Sequence, residues 1–163
     1  MILLTGFKGN NNSSKILLDA INCDNVNKKL LTNTFASCER EIIDAISLLQ
    51  PKFVISFGRK PVINRLYIEP IACNNDEFIR STFDVSILEQ SLAEHDLKYR
   101  LSAKPSNYLC NHAYYAGLNY IEKNKLETKM IFIHVPDMKN IQDMELLVSW
   151  LIDLCGGINE LYR

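Results

Sequence analysis

Three residue types in this chain could together carry acyl-transfer chemistry: Cys110 in SNYLCNHAYYAGLNYI, His134 closing MIFIHVPD, and Glu69 inside LYIEPIACN. A thiol nucleophile, an imidazole base and a carboxylate that orients the base form the constellation needed to attack a carbonyl and pass through a thioester. Each residue also has a plainer reading. A lone cysteine in an apolar helix is more often a small core residue, and a histidine at a strand end is often a packing residue. Glu69 is harder to dismiss, because it sits between Ile68 and the apolar run Ile71–Cys73, where an unpaired carboxylate is costly to bury. A histidine or an arginine could each satisfy it. The three lie far apart in sequence, so only a fold can unite them.

The elements that would position them are legible as alternation. Ile2–Thr5, Lys29–Phe35, Phe53–Phe57, Leu66–Cys73, Tyr99–Ser102 and Met130–His134 read as strands, several of them continuous apolar runs suited to burial on both faces. Cys38–Leu49, Val85–Glu94, Asn111–Lys123 and Ile141–Leu154 have helical spacing. Ser37 is the expected N-cap of the first of these, and Gly156-Gly157 the expected stop of the last. The polar run Gly9–Ser14 reads as a loop. This order predicts an α/β fold: one domain spanning 1–163, a three-layer sandwich with a mostly parallel twisted sheet and helices on both faces.

In such sheets ligands bind beyond the carboxyl ends of the strands. Thr5-Gly6-Phe7, Gly58 and His134 fall at such ends. With its helix starting near Tyr108, Cys110 lies in the first turn, where the helix dipole and free N–H groups favour a thiolate and could receive an oxyanion.

Composition narrows the class. At 163 residues, with 47% hydrophobic and 23% charged, the chain can bury one substantial core. A net charge of −1 and scattered lysines and arginines argue against nucleic acid or an anionic membrane as partner. No apolar run approaches the ~20 residues of a membrane span, and MILLTGF is too short for a signal peptide. Five cysteines without CxxC spacing read as reduced thiols, so a cytoplasmic location is expected. Neither His95 nor His112 belongs to a metal-ligand spacing, and GFKGNN is not a phosphate-binding loop, so no metal or cofactor is expected. Tyr108, Tyr114, Tyr115 and Tyr120 read as packing residues around one helix.

Four motifs in order carry a resemblance. LLTGF, LYIEPIACN, KPSNYLCN and FIHVP, with VISFG before the glutamate, resemble the corresponding segments of the pyroglutamyl peptidase I (pyrrolidone-carboxylate peptidase) family of cysteine peptidases. The resemblance implies a cysteine exopeptidase that removes N-terminal pyroglutamate (5-oxoproline) from peptides. It assigns Cys110 as nucleophile, His134 as base and Glu69 as the orienting group. It places Phe7 against the lactam ring, and with it Gly58, Arg59, Asn74, Tyr108 and Leu109 as substrate-contacting positions. It implies a small peptide with a blocked N-terminus as substrate and a homo-oligomer, dimer or tetramer, as assembly.

The departures are specific. GNNNSS lacks the family's second aromatic, and Arg59-Lys60-Pro61-Val62-Ile63 replaces a glutamine-and-glycine segment, putting a bulky charge where the pocket is shaped. Pro70 replaces an arginine and Pro105-Ser106 an Ala-Gly pair. A segment after Asn74 is absent, with Arg80 as the nearest substitute for an arginine it carries. Two alternatives therefore stand beside pyroglutamyl hydrolysis: a related cysteine hydrolase with another N-acyl or lactam substrate, and an inactive member acting as a binding protein.

Overall fold

The computed structural model describes all residues from Met1 to Arg163. In chain order the elements are β1 (Ile2–Phe7), α1 (Ser13–Ala20), β2 (Val26–Leu31), α2 (Phe35–Leu49), β3 (Phe53–Lys60), β4 (Leu66–Glu69), β5 (Ile71–Asn74), β6 (Glu77–Arg80), α3 (Val85–Glu94), β7 (Tyr99–Leu101), α4 (Leu109–Lys123), β8 (Lys129–Pro136) and α5 (Met144–Leu161). Six strands form one sheet in the order β2-β1-β3-β8-β4-β7. The first four run parallel, and β4 pairs antiparallel with β8 while β7 runs parallel to β4.

Strand alternation splits the core into two layers. Ile2 and Leu4 of β1, Phe53, Ile55 and Phe57 of β3, and Ile131, Ile133 and Val135 of β8 face α1, α3 and α5. Leu3 and Phe7, Val54, and Met130 and Phe132 face α2 and α4. Because both faces are covered, the central strands need apolar residues at successive positions. The three-layer α/β sandwich expected from the alternation is the observed architecture. No helix is long and apolar enough to cross a membrane.

Five boundaries differ from the sequence expectation. The run Leu66–Cys73 is broken at Pro70, which cannot donate to a ladder. Glu69 therefore ends β4, and β5 leaves the sheet to form a hairpin with β6, a strand with no alternating pattern of its own. The second strand lies earlier than expected, at Val26–Leu31, where it pairs residue by residue with β1. Thr34, not Ser37, caps α2, its hydroxyl accepting from the Ser37 amide. Gly156-Gly157 does not stop α5, because Leu154, Cys155 and Ile158 on either side are buried in the core and hold the helix through both glycines. The polar loop after β1 is also shorter than read: Asn12 caps α1, which begins at Ser13.

Candidate active site

His134 and Glu69 meet because β4 turns back along β8. Tyr67 lies opposite His134 and Glu69 opposite Phe132, so the histidine and the glutamate project from neighbouring strands on the α4 side. The His134 Nδ1 and Glu69 Oε1 atoms are 2.7 Å apart, and both residues are buried at 6% exposure. An ionised carboxylate can only accept, so Nδ1–H donates and Nε2 presents its lone pair. Nε2 has no partner within the chain, which leaves it free to take a proton from a reacting group. The costly buried carboxylate noted in the sequence is thus satisfied by the histidine, and not by an arginine.

The two strand ends are braced from α4. The Tyr114 hydroxyl donates to the Glu69 carbonyl at 2.9 Å, and the Phe132 ring packs between Tyr114 and His134 at centroid distances of 5.7 and 5.0 Å. Asn111 accepts from the Cys73 amide at 2.9 Å and donates to its carbonyl at 2.7 Å, which fastens β5 to the start of α4.

Cys110 is the second residue of α4, whose N-cap, Tyr108, offers no side-chain hydrogen bond. The first-turn amides are therefore left for another acceptor. The sulfur rests on Gly58. A Cβ built there would lie 2.5 Å from Cys110 Sγ and 2.7 Å from Phe132 Cζ, so the absence of a side chain at Gly58 makes the space for the thiol. Gly58 is also the register partner of His134 on the adjacent strand, and neighbouring strands lie about 4.8 Å apart. The thiol is thus set over the strand next to the imidazole.

The thiolate expectation is corrected here. Burial pushes the Cys110 thiol up to about 12, with Cys38 and Glu69 adding to the rise; its own backbone N–H and Lys60 act in the opposite direction but do not overcome burial. The sulfur waits as a neutral thiol.

Beside this group lies a narrow cleft lined by Glu69, Ile71, Pro105, Ser106, Asn111, Tyr114, Phe132 and His134. The Ser106 hydroxyl there is buried without a partner. No group of three or more His, Cys, Asp or Glu side chains that could hold a metal is present.

The other sequence-derived positions divide. Phe7 and Gly58 lie on the same face of the sheet as His134 and Glu69, Phe7 buried in the α2–α4 core layer. Leu109 opens α4 directly before Cys110, and Tyr108 stands 76% exposed at its cap. Arg59 does not face the site. Alternation turns it to the opposite side of β3, where it pairs with Asp137 at 3.2 Å. Asn74 is exposed at the hairpin turn and does not line the cleft; Asn111 is the asparagine that does. Arg80 ends β6 opposite Ile71, at the root of the hairpin. Sequence reading missed Asn111, Tyr114, Ser106 and Lys60. Of these, Lys60 was recoverable, since it shares the parity of Gly58 along β3.

Comparison with known proteins shows what this chain is similar to. The model of the pyroglutamyl peptidase family matches residues 78–148, the stretch that holds both Cys110 and His134. A pyrrolidone-carboxylate peptidase of Thermosipho melanesiensis is 25% identical over 182 aligned positions, covering 89% of this chain and 90% of the relative. Over residues 78–148 the chain is similar to the pyroglutamyl peptidase family. The fold agrees over nearly its full length: pyroglutamyl peptidase I of Bacillus amyloliquefaciens superposes with a TM-score of 0.84 at 15% identity, covering 93% of this chain and 92% of that one. The pyrrolidone carboxyl peptidase of Thermococcus litoralis gives 0.83 at 17% identity, covering 99% and 96%. The alignment to the Thermosipho relative spans more positions than the 163 residues available here, so that family member carries segments this chain lacks.

Proposed function

We propose that the chain is a cysteine exopeptidase that removes N-terminal pyroglutamate from peptides, with Cys110 as nucleophile, His134 as base and Glu69 as the positioning carboxylate. The observation that carries this reading is the buried His134–Glu69 pair, which leaves Nε2 unpartnered one strand away from a sulfur seated on Gly58.

The chemistry then follows from the protonation states. The thiol is neutral in the resting site, so its proton passes to His134 Nε2 as the sulfur attacks the pyroglutamyl carbonyl carbon. Glu69 stabilises the imidazolium that forms. The carbonyl oxygen gains negative charge near the uncapped N-terminal amides of α4, which stabilise it without reorganising. The tetrahedral intermediate collapses, His134 returns the proton to the leaving amine, and a thioester remains on Cys110. Water, deprotonated by His134, hydrolyses it and regenerates the thiol. The Ser106 hydroxyl, buried and unpartnered in the cleft, supplies a hydrogen bond for a polar edge of the acyl group. Five free cysteines fit a reducing compartment, and the cytoplasm is the proposed location.

Hydrolysis of a fluorogenic pyroglutamyl amide under reducing conditions tests the reading. Wild type should release the fluorophore and Cys110→Ser should not, with an unchanged circular dichroism spectrum. Equal rates for the two proteins would remove Cys110 from the mechanism. A second reading, a related hydrolase acting on another N-acyl group, is favoured by the altered segment after Gly58. It would show as cleavage of other N-acyl amides with none of the pyroglutamyl substrate.

A further inference from the structure

Resting on the peptidase reading above, we propose that Lys60 is a specificity-determining residue that receives a substrate carboxylate on the leaving-group side of the scissile bond. Parity along β3 sends Gly58 and Lys60 to the same face, the one that carries Cys110 and His134, and sends Arg59 to the other. The Lys60 ammonium stands 5.0 Å over the ring of Tyr67, and Tyr67 is the residue opposite His134 on β4. The cation is therefore held at the rim of the reacting centre and not out in solvent.

What holds it there leaves its charge available. Arg59 is neutralised by Asp137, whereas Lys60 makes no ion pair and no hydrogen bond to any acceptor in the chain. A ring face supplies attraction of about 0.5–1 kcal/mol but no counter-charge. The three N–H donors of the ammonium stay free for an anion. Its field reaches the sulfur, since it is among the groups that pull the Cys110 thiol down.

The geometry selects which part of a substrate would meet it. The cleft beside His134 is lined by Phe132, Tyr114 and Ser106; with the acyl group directed to that side, the leaving amine runs outward. Lys60 lies two strand residues beyond Gly58, about 6.6 Å further towards the open end of β3. One residue of extended peptide spans about 3.5 Å. A carboxylate carried by the first residue after the scissile bond therefore falls within reach of a flexible lysine. It could be the free C-terminus of a pyroglutamyl dipeptide or the side chain of an acidic residue.

The test compares kcat/KM for pyroglutamyl-alanine with its C-terminal amide, and for pyroglutamyl-glutamyl amide with pyroglutamyl-glutaminyl amide, in wild type, Lys60→Met and Lys60→Glu. The first pair reads a terminal carboxylate and the second a side-chain carboxylate. Wild type should prefer the anionic member of at least one pair by about tenfold at low salt. Lys60→Met should bring that ratio near one, and Lys60→Glu below one. A ratio unchanged by Lys60→Met, or an equal loss on both members of each pair, overturns the assignment.

A second measurement separates this inference from the peptidase reading. Cys110 is alkylated with iodoacetate and with iodoacetamide, which differ by the carboxylate, and the ratio of rates is compared between wild type and Lys60→Met. A fall of about threefold or more in the iodoacetate-to-iodoacetamide ratio supports an anion-receiving Lys60 even in a protein that cleaves no pyroglutamyl substrate. An unchanged ratio overturns it even in one that does.

Discussion

Gly58 shows how narrow the tolerance of the site is. Its role is volume, because a methyl group there would overlap both the sulfur of Cys110 and the rigid ring of Phe132. Neither can retreat cheaply: one belongs to a packed helix and the other is buried between Tyr114 and His134. Gly58→Ala should therefore displace the thiol from its place beside His134. The expected result is a loss of kcat/KM on the order of a hundredfold in steady-state assays, with the folded state destabilised only by the roughly 1–3 kcal/mol typical of overpacking. Activity within twofold of wild type would mean that the sulfur does not react from this position. At the same scale, the site was only half visible in sequence. Cys110, His134 and Glu69 stood out by type and context. Asn111 and Tyr114 did not, because their work is done by hydrogen bonds to Cys73 and Glu69 across the fold.

Helices are joined to one another by polar contacts as well as by the core. Near the C-terminal end of α3, His95 uses both ring nitrogens, Nδ1 to the Ser91 carbonyl at 2.8 Å and Nε2 to Asp153 of α5 at 3.0 Å. Two acceptors require two N–H donors, so the imidazolium is the form that satisfies both. The hydrogen bond to Asp153, followed by that to Ser91, holds the His95 pKa above its ordinary value. A histidine raised in the folded state contributes stability that is fully present below its unfolded pKa, about 6.5, and is lost as pH rises through the folded value. His95→Gln should accordingly lower the melting temperature more at about pH 5.5 than at about pH 8.5. A difference that does not vary with pH would show that the α3–α5 contact is carried by packing alone. Element boundaries carried the other lesson at this scale. The strands and helices were evident from periodicity, whereas the break at Pro70 decided where Glu69 would stand.

Across the whole molecule, the sheet separates two core layers with different duties. The α2–α4 layer carries the site, and the α1–α3–α5 layer carries Trp150, which is fully buried and donates from Nε1 to Ser91 Oγ at 3.1 Å. Truncating it should remove stability without touching the reacting groups. Trp150→Ala is expected to cost about 3–5 kcal/mol, lowering Tm by roughly 10 °C for a chain of this size. The KM of the protein that remains folded should be unchanged. A raised KM at a temperature where the variant is fully folded would show that the far layer also shapes the site.

The sequence by itself determined the layered α/β class and the order of most strands and helices, and it singled out Cys110, His134 and Glu69 as candidates, because burial periodicity and residue chemistry are local properties. Only the tertiary structure decided that β4 runs antiparallel to β8, which brings Glu69 to His134. It also decided that Lys60 and not Arg59 faces the site, and that burial outweighs the helix N-terminus at Cys110. These outcomes depend on strand direction, on parity along β3 and on the depth of a sulfur beneath its neighbours. None of them exists until the chain has folded.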